Sequence, residues 1–122
     1  MRTEARQAGD QAEEAVVRYL IQQGYEVRSR NFSCRDGELD VVAERGQTLC
    51  FVEVRMRSTA AWGDPSHTVS RAKQRRVVKA ALRYLFVNRI VGKMIRFDVA
   101  SVVGSGPDAS LEYIPDAFDA GM

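Results

Sequence analysis

The chain has 122 residues, 45% of them apolar and 28% charged, which is the balance of a globular protein and predicts a single domain over residues 1–122. No apolar run approaches the roughly 20 residues that span a bilayer, and the polar N-terminus lacks the apolar core of a secretory signal, so we expect a cytoplasmic protein without membrane contact. The net charge is only +2, so the total charge alone indicates no nucleic-acid partner.

The first half of the chain predicts one helix followed by three strands. Small and apolar residues recur at helical spacing from about Thr3 to Gln23. Segments with the composition of strands follow, separated by turn signals at Asp36-Gly37 and Gly46-Gln47; these segments are Tyr25–Asn31, Glu38–Glu44 and Thr48–Arg57.

The second half predicts a loop, a long helix and one or two further strands. The loop contains Trp62, Gly63 and Pro65, and the helix runs from about Ser66 or Ser70 to Asn88. A strand follows at Ile95–Val103, and Leu111–Ile114 is a candidate short last strand. The order α-β-β-β-α-β, with an optional final β, predicts an α/β fold with a sheet flanked by helices.

Few residue types are available for chemistry. Two separated cysteines, Cys34 and Cys50, form neither a disulfide framework nor a zinc knuckle, and His67 is the only histidine. Any catalytic site therefore depends on carboxylates, lysines and arginines.

Two carboxylates are expected to meet on the predicted hairpin. A two-residue turn with Gly46 at its first central position sets a register in which Asp40 lies opposite Glu53 and Glu38 lies opposite Arg55. Opposed carboxylates repel unless a cation lies between them or one pKa is raised. Oxygen ligands favour Mg²⁺ or Mn²⁺ over zinc, with Glu38 as a further candidate ligand.

The pattern leaves a second interpretation of this face open. Both strands might instead turn it towards water, with Arg55 and Arg57 simply paired to Glu38 and Glu53. In the first helix, Glu13 falls at the margin of the apolar arc, where a buried carboxylate would need a partner.

Basic residues are concentrated in the second predicted helix. No Asp or Glu occurs between Pro65 and Phe97, a stretch that holds nine of the 18 basic residues. A run of one charge sign is either a solvated face or a surface for a phosphate backbone. The candidate nucleic-acid contacts are Arg57, Arg71, Lys73, Arg75, Arg76, Lys79 and Arg83.

Seven short motifs together resemble the bacterial YraN family, over nearly the whole chain to about Phe118. They are Gly9-Asp10-Gln11-Ala12-Glu13, Arg30-Asn31-Phe32, Gly37-Glu38-Leu39-Asp40, Phe51-Val52-Glu53-Val54-Arg55-Met56-Arg57, Gly63-Asp64-Pro65, Lys73-Gln74-Arg75-Arg76 and Arg96-Phe97-Asp98-Val99. That family looks related to archaeal Holliday-junction resolvases and to the D…(D/E)xK nuclease superfamily.

The resemblance implies a restriction-endonuclease-like fold, with a central mixed sheet flanked by helices. Asp40 and Glu53 match the metal-binding acids, the backbone carbonyl of Val54 matches an additional ligand, and Glu13 matches a first-helix glutamate. Arg55 stands where the superfamily motif has lysine, and an arginine cannot lose its proton to activate water. The resemblance to resolvases, which act on two-fold substrates, implies a homodimer, but no sequence feature identifies its interface.

Three functions are compatible with these patterns. The first is a Mg²⁺- or Mn²⁺-dependent endonuclease, with Glu13, Asp40, Glu53 and Arg55 as catalytic residues, that cleaves structured DNA such as junctions or flaps. The second is a non-catalytic nucleic-acid-binding module that keeps the nuclease fold, which Arg55 favours. The third is a protein-interaction adaptor that uses the loop and the C-terminal segment.

Overall fold

Two helices and five strands make up the structure, a computed structural model that describes residues 3–57, 69–104 and 108–121. In chain order they are α1 (Glu4–Gln22), β1 (Glu26–Cys34), β2 (Gly37–Arg45), β3 (Thr48–Arg57), α2 (Arg71–Val87), β4 (Met94–Val103) and β5 (Ser110–Phe118). This confirms the predicted order, with the optional last strand present. The predicted loop containing Trp62, Gly63 and Pro65, and the alternative helix start at Ser66, lie outside the described residues.

The five strands form one mixed sheet in the order β1-β2-β3-β4-β5. The first three strands are antiparallel, β3 and β4 are parallel, and β4 and β5 are antiparallel. Parallel neighbours require a crossover connection, and α2 lies in the connection between β3 and β4. The central strand of the sheet is β3, and its edges are β1 and β5.

A helix covers each face of the sheet. Val16 and Leu20 of α1 pack into an apolar cluster on one face, while Val77 and Tyr84 of α2 pack into a second cluster on the other. Because β3 is covered on both faces, its side chains form an almost continuous buried run. Neither described helix carries an apolar stretch long enough to cross a membrane.

Local capping explains where the helices begin. The side chain of Thr3 accepts a hydrogen bond from the backbone N–H of Arg6 at the start of α1. Ser70 does the same for the N–H of Lys73 at the start of α2. Of the two predicted starts for this helix, the one at Ser70 is confirmed.

Two strands are longer than predicted. β1 continues past Asn31 to Cys34, and β5 continues past Pro115 to Phe118. Proline is tolerated there because β5 lies at the edge of the sheet, and the β4–β5 register shifts in this region, where Asp116 has a φ of 53°.

A buried aspartate ties this irregular edge strand to the centre of the sheet. Asp98 in β4 is fully buried, and Arg96 donates to both of its oxygens, from Nε at 2.9 Å and from Nη2 at 3.0 Å. The Tyr113 hydroxyl and the Asp116 backbone N–H of β5 also donate to it. Arg96 donates in turn to the Tyr25 hydroxyl at 2.7 Å. One carboxylate thus joins β4, β5 and the start of β1.

We predict that Asp98→Ala lowers the free energy of unfolding by about 3–5 kcal/mol, because it leaves the Arg96 guanidinium half-buried without its carboxylate. Urea denaturation measures the change. Glu112→Ala, at an exposed position on β5, is the matched control and should shift stability by less than about 0.5 kcal/mol. Similar losses in both variants would contradict a special role for the Asp98 network.

Candidate active site

The predicted hairpin register is confirmed up to Val41 and Val52, whereas the predicted pairs Asp40–Glu53 and Glu38–Arg55 lie beyond the last pair of the two strands. β2 and β3 pair from Arg45 opposite Thr48 to Val41 opposite Val52. Gly46 has the positive φ, 61°, that the predicted turn requires at its first central position. In the same register, Asp40 and Glu53 occupy the next position along the two strands.

Asp40 interrupts the pairing at this point. A regular continuation would direct the Val54 backbone N–H to Leu39, but Oδ2 of Asp40 accepts it at 2.8 Å. The carboxylate therefore reaches across to β3 and replaces a backbone acceptor. As a result, its position is fixed by the main chain of the strand that carries Glu53.

The regular alternation of β2 side chains between the two faces of the sheet is interrupted at Asp40. Leu39 packs in the cluster beneath α2, whereas Val41 packs in the cluster beneath α1. Two residues separated by two positions share a face in a regular strand, so the regular alternation expected for Glu38 and Asp40 does not hold here. This exchange of faces lets Asp40 point across the sheet towards β3.

In the neighbouring strand β1, the alternation of side chains between the two faces is interrupted in the same way at Asn31. This residue lies at the level of Asp40, between the pairs Arg30–Val41 and Phe32–Leu39, and its φ is 56°. Phe32 packs on the α2 side, while Arg30 binds Glu13 of α1 on the other side. Asparagine is among the few residues that adopt this left-handed conformation readily.

Glu53 is buried beside a lysine from α2. Its exposed fraction is 5%, and Lys73 Nζ lies 3.7 Å from its Oε1. Lys73 belongs to the first turn of α2, which Ser70 caps. A positive charge at the N-terminus of a helix interacts unfavourably with the helix dipole, and the negative charge of Glu53 offsets this destabilisation of α2.

Burial perturbs both acids of the pair. Burial, followed by the charge of Asp40, raises the pKa of Glu53 to about 7. Burial also raises the pKa of Asp40, against the stabilising hydrogen bond from Val54 and the charge of Lys73. Near neutral pH, the pair therefore retains a proton for part of the time unless a metal cation binds to the two carboxylates.

Glu13 approaches from the opposite side of the sheet. It is buried, although its position on the margin of the apolar arc left its burial open, and its charge acts on Asp40. Its Oε1 accepts hydrogen bonds from Arg30 Nε at 2.9 Å and from Asn31 Nδ2 at 3.1 Å. Within residues 3–57, 69–104 and 108–121, no group of three or more His, Cys, Asp and Glu side chains is arranged to hold a metal ion.

The other predicted site residues on the hairpin are placed less centrally. Arg55 is half-buried and contributes positive charge near Glu53, but the ion pair with Glu53 is formed by Lys73. Glu38 is exposed and lies opposite Ser33 of β1, beyond the last β2–β3 pair. Arg57 is half-buried at the end of β3.

The basic residues of α2 point in several directions. Lys73 faces the acid pair, whereas Arg71 and Arg75 line a groove against the C-terminal segment. The remaining candidates are exposed, namely Arg76, Lys79 and Arg83. The candidate nucleic-acid contacts on α2 therefore do not all share one surface, and one of them, Lys73, enters the site.

Sequence reasoning did not foresee two contributors to the site. Lys73 appeared only as a phosphate contact, because its place beside Glu53 depends on how α2 crosses the sheet. Asn31 had one usable signal, since asparagine in an otherwise regular strand indicates a left-handed backbone position more often than most residues do.

Comparison with known proteins gives a family but no activity. The model of "Uncharacterised protein family UPF0102" matches residues 12–102. A UPF0102 protein of Myxococcus xanthus is 67% identical over 119 residues, which cover 98% of this chain and 94% of that protein. A UPF0102 protein of Geobacter metallireducens is 42% identical over 111 residues, covering 91% of each chain. One of Desulfosudis oleivorans is 40% identical over 122 residues, covering 100% and 98%.

The first prediction for this site concerns pH. The folded protein raises the pKa of Glu53 from its ordinary 4.5 to about 7, so protonation of Glu53 favours the folded state. This contribution to the stability of the fold is complete below pH 4.5 and is lost as the pH rises through about 7. In the presence of a chelator, Glu53→Gln should therefore be more stable than wild type by roughly 1–3 kcal/mol at about pH 8, and this gain should shrink towards about pH 5.

Urea denaturation across this pH range is the measurement. Glu38→Gln, an exposed acid on the neighbouring strand, is the control and should leave the pH profile unchanged. If the stability of the Glu53→Gln variant followed the wild-type profile at every pH, the raised pKa of Glu53 beside Asp40 would be contradicted.

The second prediction concerns the backbone at Asn31. Asn31→Ala and Asn31→Gly both remove the hydrogen bond to Glu13, but only glycine adopts a φ of 56° without strain. The alanine variant should therefore be less stable than the glycine variant by roughly 1–2 kcal/mol, as thermal and urea unfolding would measure. Equal stabilities would show that the left-handed position carries no strain.

Proposed function

The chain belongs to the UPF0102 family, and from the chemistry of its own site we propose that it is a Mg²⁺- or Mn²⁺-dependent nuclease that hydrolyses phosphodiester bonds in structured DNA. In this proposal the five-stranded sheet is a restriction-endonuclease-like fold. The observation that carries the proposal is the pair formed by the half-buried Asp40 and the buried Glu53, with Lys73 beside it.

The acid pair fits a divalent cation. Burial raises the pKa of both acids, and together they present closely placed oxygen ligands, which Mg²⁺ and Mn²⁺ prefer. Asp40 and Glu53 would hold the ion, with the Val54 carbonyl as the adjacent backbone oxygen. Glu13 is a more distant candidate, because its Oε1 already accepts hydrogen bonds from Arg30 and Asn31.

When bound, such an ion supplies a water of lowered pKa and neutralises charge on a phosphate. The protein's own residues set the conditions around it. The hydrogen bond from Val54 fixes one oxygen of Asp40, and the burial of Glu53 keeps competing water away. Lys73 and Arg55 place positive charge where a phosphate would approach the acids.

The start of α2 offers a surface for the phosphate backbone. Its first turn contains no acidic residue but includes Arg71 and Lys73, and helix N-termini attract anions. Arg76, Lys79 and Arg83 continue the exposed positive charge along the helix. Such contacts would position nucleic acid and would weaken as salt rises.

A second candidate function is a nucleic-acid-binding module that keeps the fold without catalysis. Arg55 favours it, because a guanidinium stays protonated and cannot serve as a base. In that case the basic surface would still bind nucleic acid, but Asp40 and Glu53 need not bind a metal ion. Metal binding and cleavage therefore separate the two candidates.

The test is a cleavage assay on branched, flap, nicked and linear DNA with Mg²⁺ or Mn²⁺. We expect wild type to cut at least one structured substrate and the double variant Asp40→Ala, Glu53→Ala to lose that activity by at least about a hundredfold. Glu38→Ala, which removes an exposed acid next to the site, is the matched control and should cut as wild type does.

Calorimetric titration with Mn²⁺ completes the assay. Binding that disappears in the double variant, together with cleavage, supports the nuclease. DNA binding without either metal binding or cleavage indicates the non-catalytic module. Wild-type cleavage that is matched by the double variant would rule out Asp40 and Glu53 as the site.

A further inference from the structure

An apolar surface lies at the far end of α2 from the acid pair. Five large side chains contribute to it, and they are exposed to the extent of 52% for Leu82, 77% for Phe86, 58% for Val87, 87% for Val91 and 39% for Ile95. Leu85 borders both hollows of this surface, one next to Leu82 and Ile95 and the other next to Phe86 and Val91. We call these residues the α2 apolar surface.

A groove of about 190 Å³ runs through this surface between α2 and the C-terminal end of β5. Val78, Leu82 and Leu85 of the helix form one wall, and Phe97 and Phe118 lie among its remaining lining residues. The groove is suited to an apolar side chain about the size of phenylalanine. Phe86, the most exposed aromatic of the described residues, stands next to it on the same helix.

The area matches what a protein interface requires. At these exposures the five side chains offer roughly 600 Å² of mostly apolar surface, against about 800 Å² per partner in a standard interface. Monomers rarely leave a larger contiguous apolar patch in water. The half-buried Leu85 and Ile90 and the rim of the groove would supply the remainder.

The charges at the rim make the surface complementary to itself. On the helix side, Arg89 lines the hollow next to Phe86 and Arg75 lines the adjacent groove against the C-terminal segment, whereas Asp116 and Asp119 line the opposite side of the groove. A two-fold axis that lies in the interface and runs parallel to the groove places the basic rim of one copy against the acidic rim of the other.

From this bipolar rim and the size of the patch, we propose that the α2 apolar surface is the interface of a symmetric homodimer, in which Phe86 of each copy enters the groove of the other. Lys73 and Phe86 are thirteen positions apart on α2, about 20 Å along its axis, so the dimer leaves the acid pair accessible. The proposal rests on this surface alone and holds whether or not the protein cleaves nucleic acid.

The test is sedimentation equilibrium of the full chain in three variants. We expect wild type to dimerise with a dissociation constant in the range of roughly 1–50 µM, and Phe86→Asp and Leu82→Asp each to raise that constant at least about tenfold. Ile21→Asp is the matched control, because Ile21 is 58% exposed on α1, on the other face of the sheet, and it should dimerise as wild type does.

Circular dichroism and the melting temperature of each variant establish that all remain folded. A wild type that stays monomeric up to about 200 µM would overturn the proposal, as would a Phe86→Asp variant that dimerises like wild type. Equal loss of dimer in Ile21→Asp would also overturn it, since the effect would then not belong to this surface.

Discussion

The structure depends on keeping two like charges together away from water. Two unit charges about 5 Å apart repel by roughly 3 kcal/mol at an effective dielectric constant of about 20, so Asp40 and Glu53 need compensation from their surroundings. The N–H of Val54 supplies part of it to Asp40, and Lys73 supplies part of it to Glu53. These two contacts lie where the β2–β3 pairing ends and where α2 begins.

Local information in the sequence was enough to predict the frame of this site. Gly46-Gln47 sets a two-residue turn, and because every pair on a hairpin follows from its turn, the positions of Asp40 and Glu53 relative to each other follow as well. Helical spacing placed Glu13 only at the margin of the apolar arc, and the structure buries it beside Arg30 and Asn31 of β1. Ser70 offered a local capping signal, and α2 begins there.

The remaining features depend on contacts between distant parts of the chain. Lys73 was predicted only as a phosphate contact, and the crossing of α2 over the sheet brings it to Glu53. The alternation of apolar and polar residues predicted a regular β2, but its side chains change faces of the sheet at Asp40. This irregularity lies beside Asn31 of β1, which has a left-handed backbone conformation. The candidate last strand was expected to end at Ile114, yet β5 continues to Phe118, where Asp98 accepts the Asp116 N–H and Phe118 pairs with Phe97.

The irregular course of β5 also affects how the sheet meets other molecules. An edge strand with free backbone groups can recruit further strands and start aggregation. Pro115 has no N–H to offer, and the N–H of Asp116 is already bound to Asp98, so two successive residues of this edge present no donor to an incoming strand. At the other edge, the left-handed backbone conformation of Asn31 interrupts β1, so this edge is not a regular strand to which another strand could pair. Growth of the sheet by strand addition is thereby disfavoured at both borders, and the chain can expose an apolar helix face without also offering its strands for polymerisation.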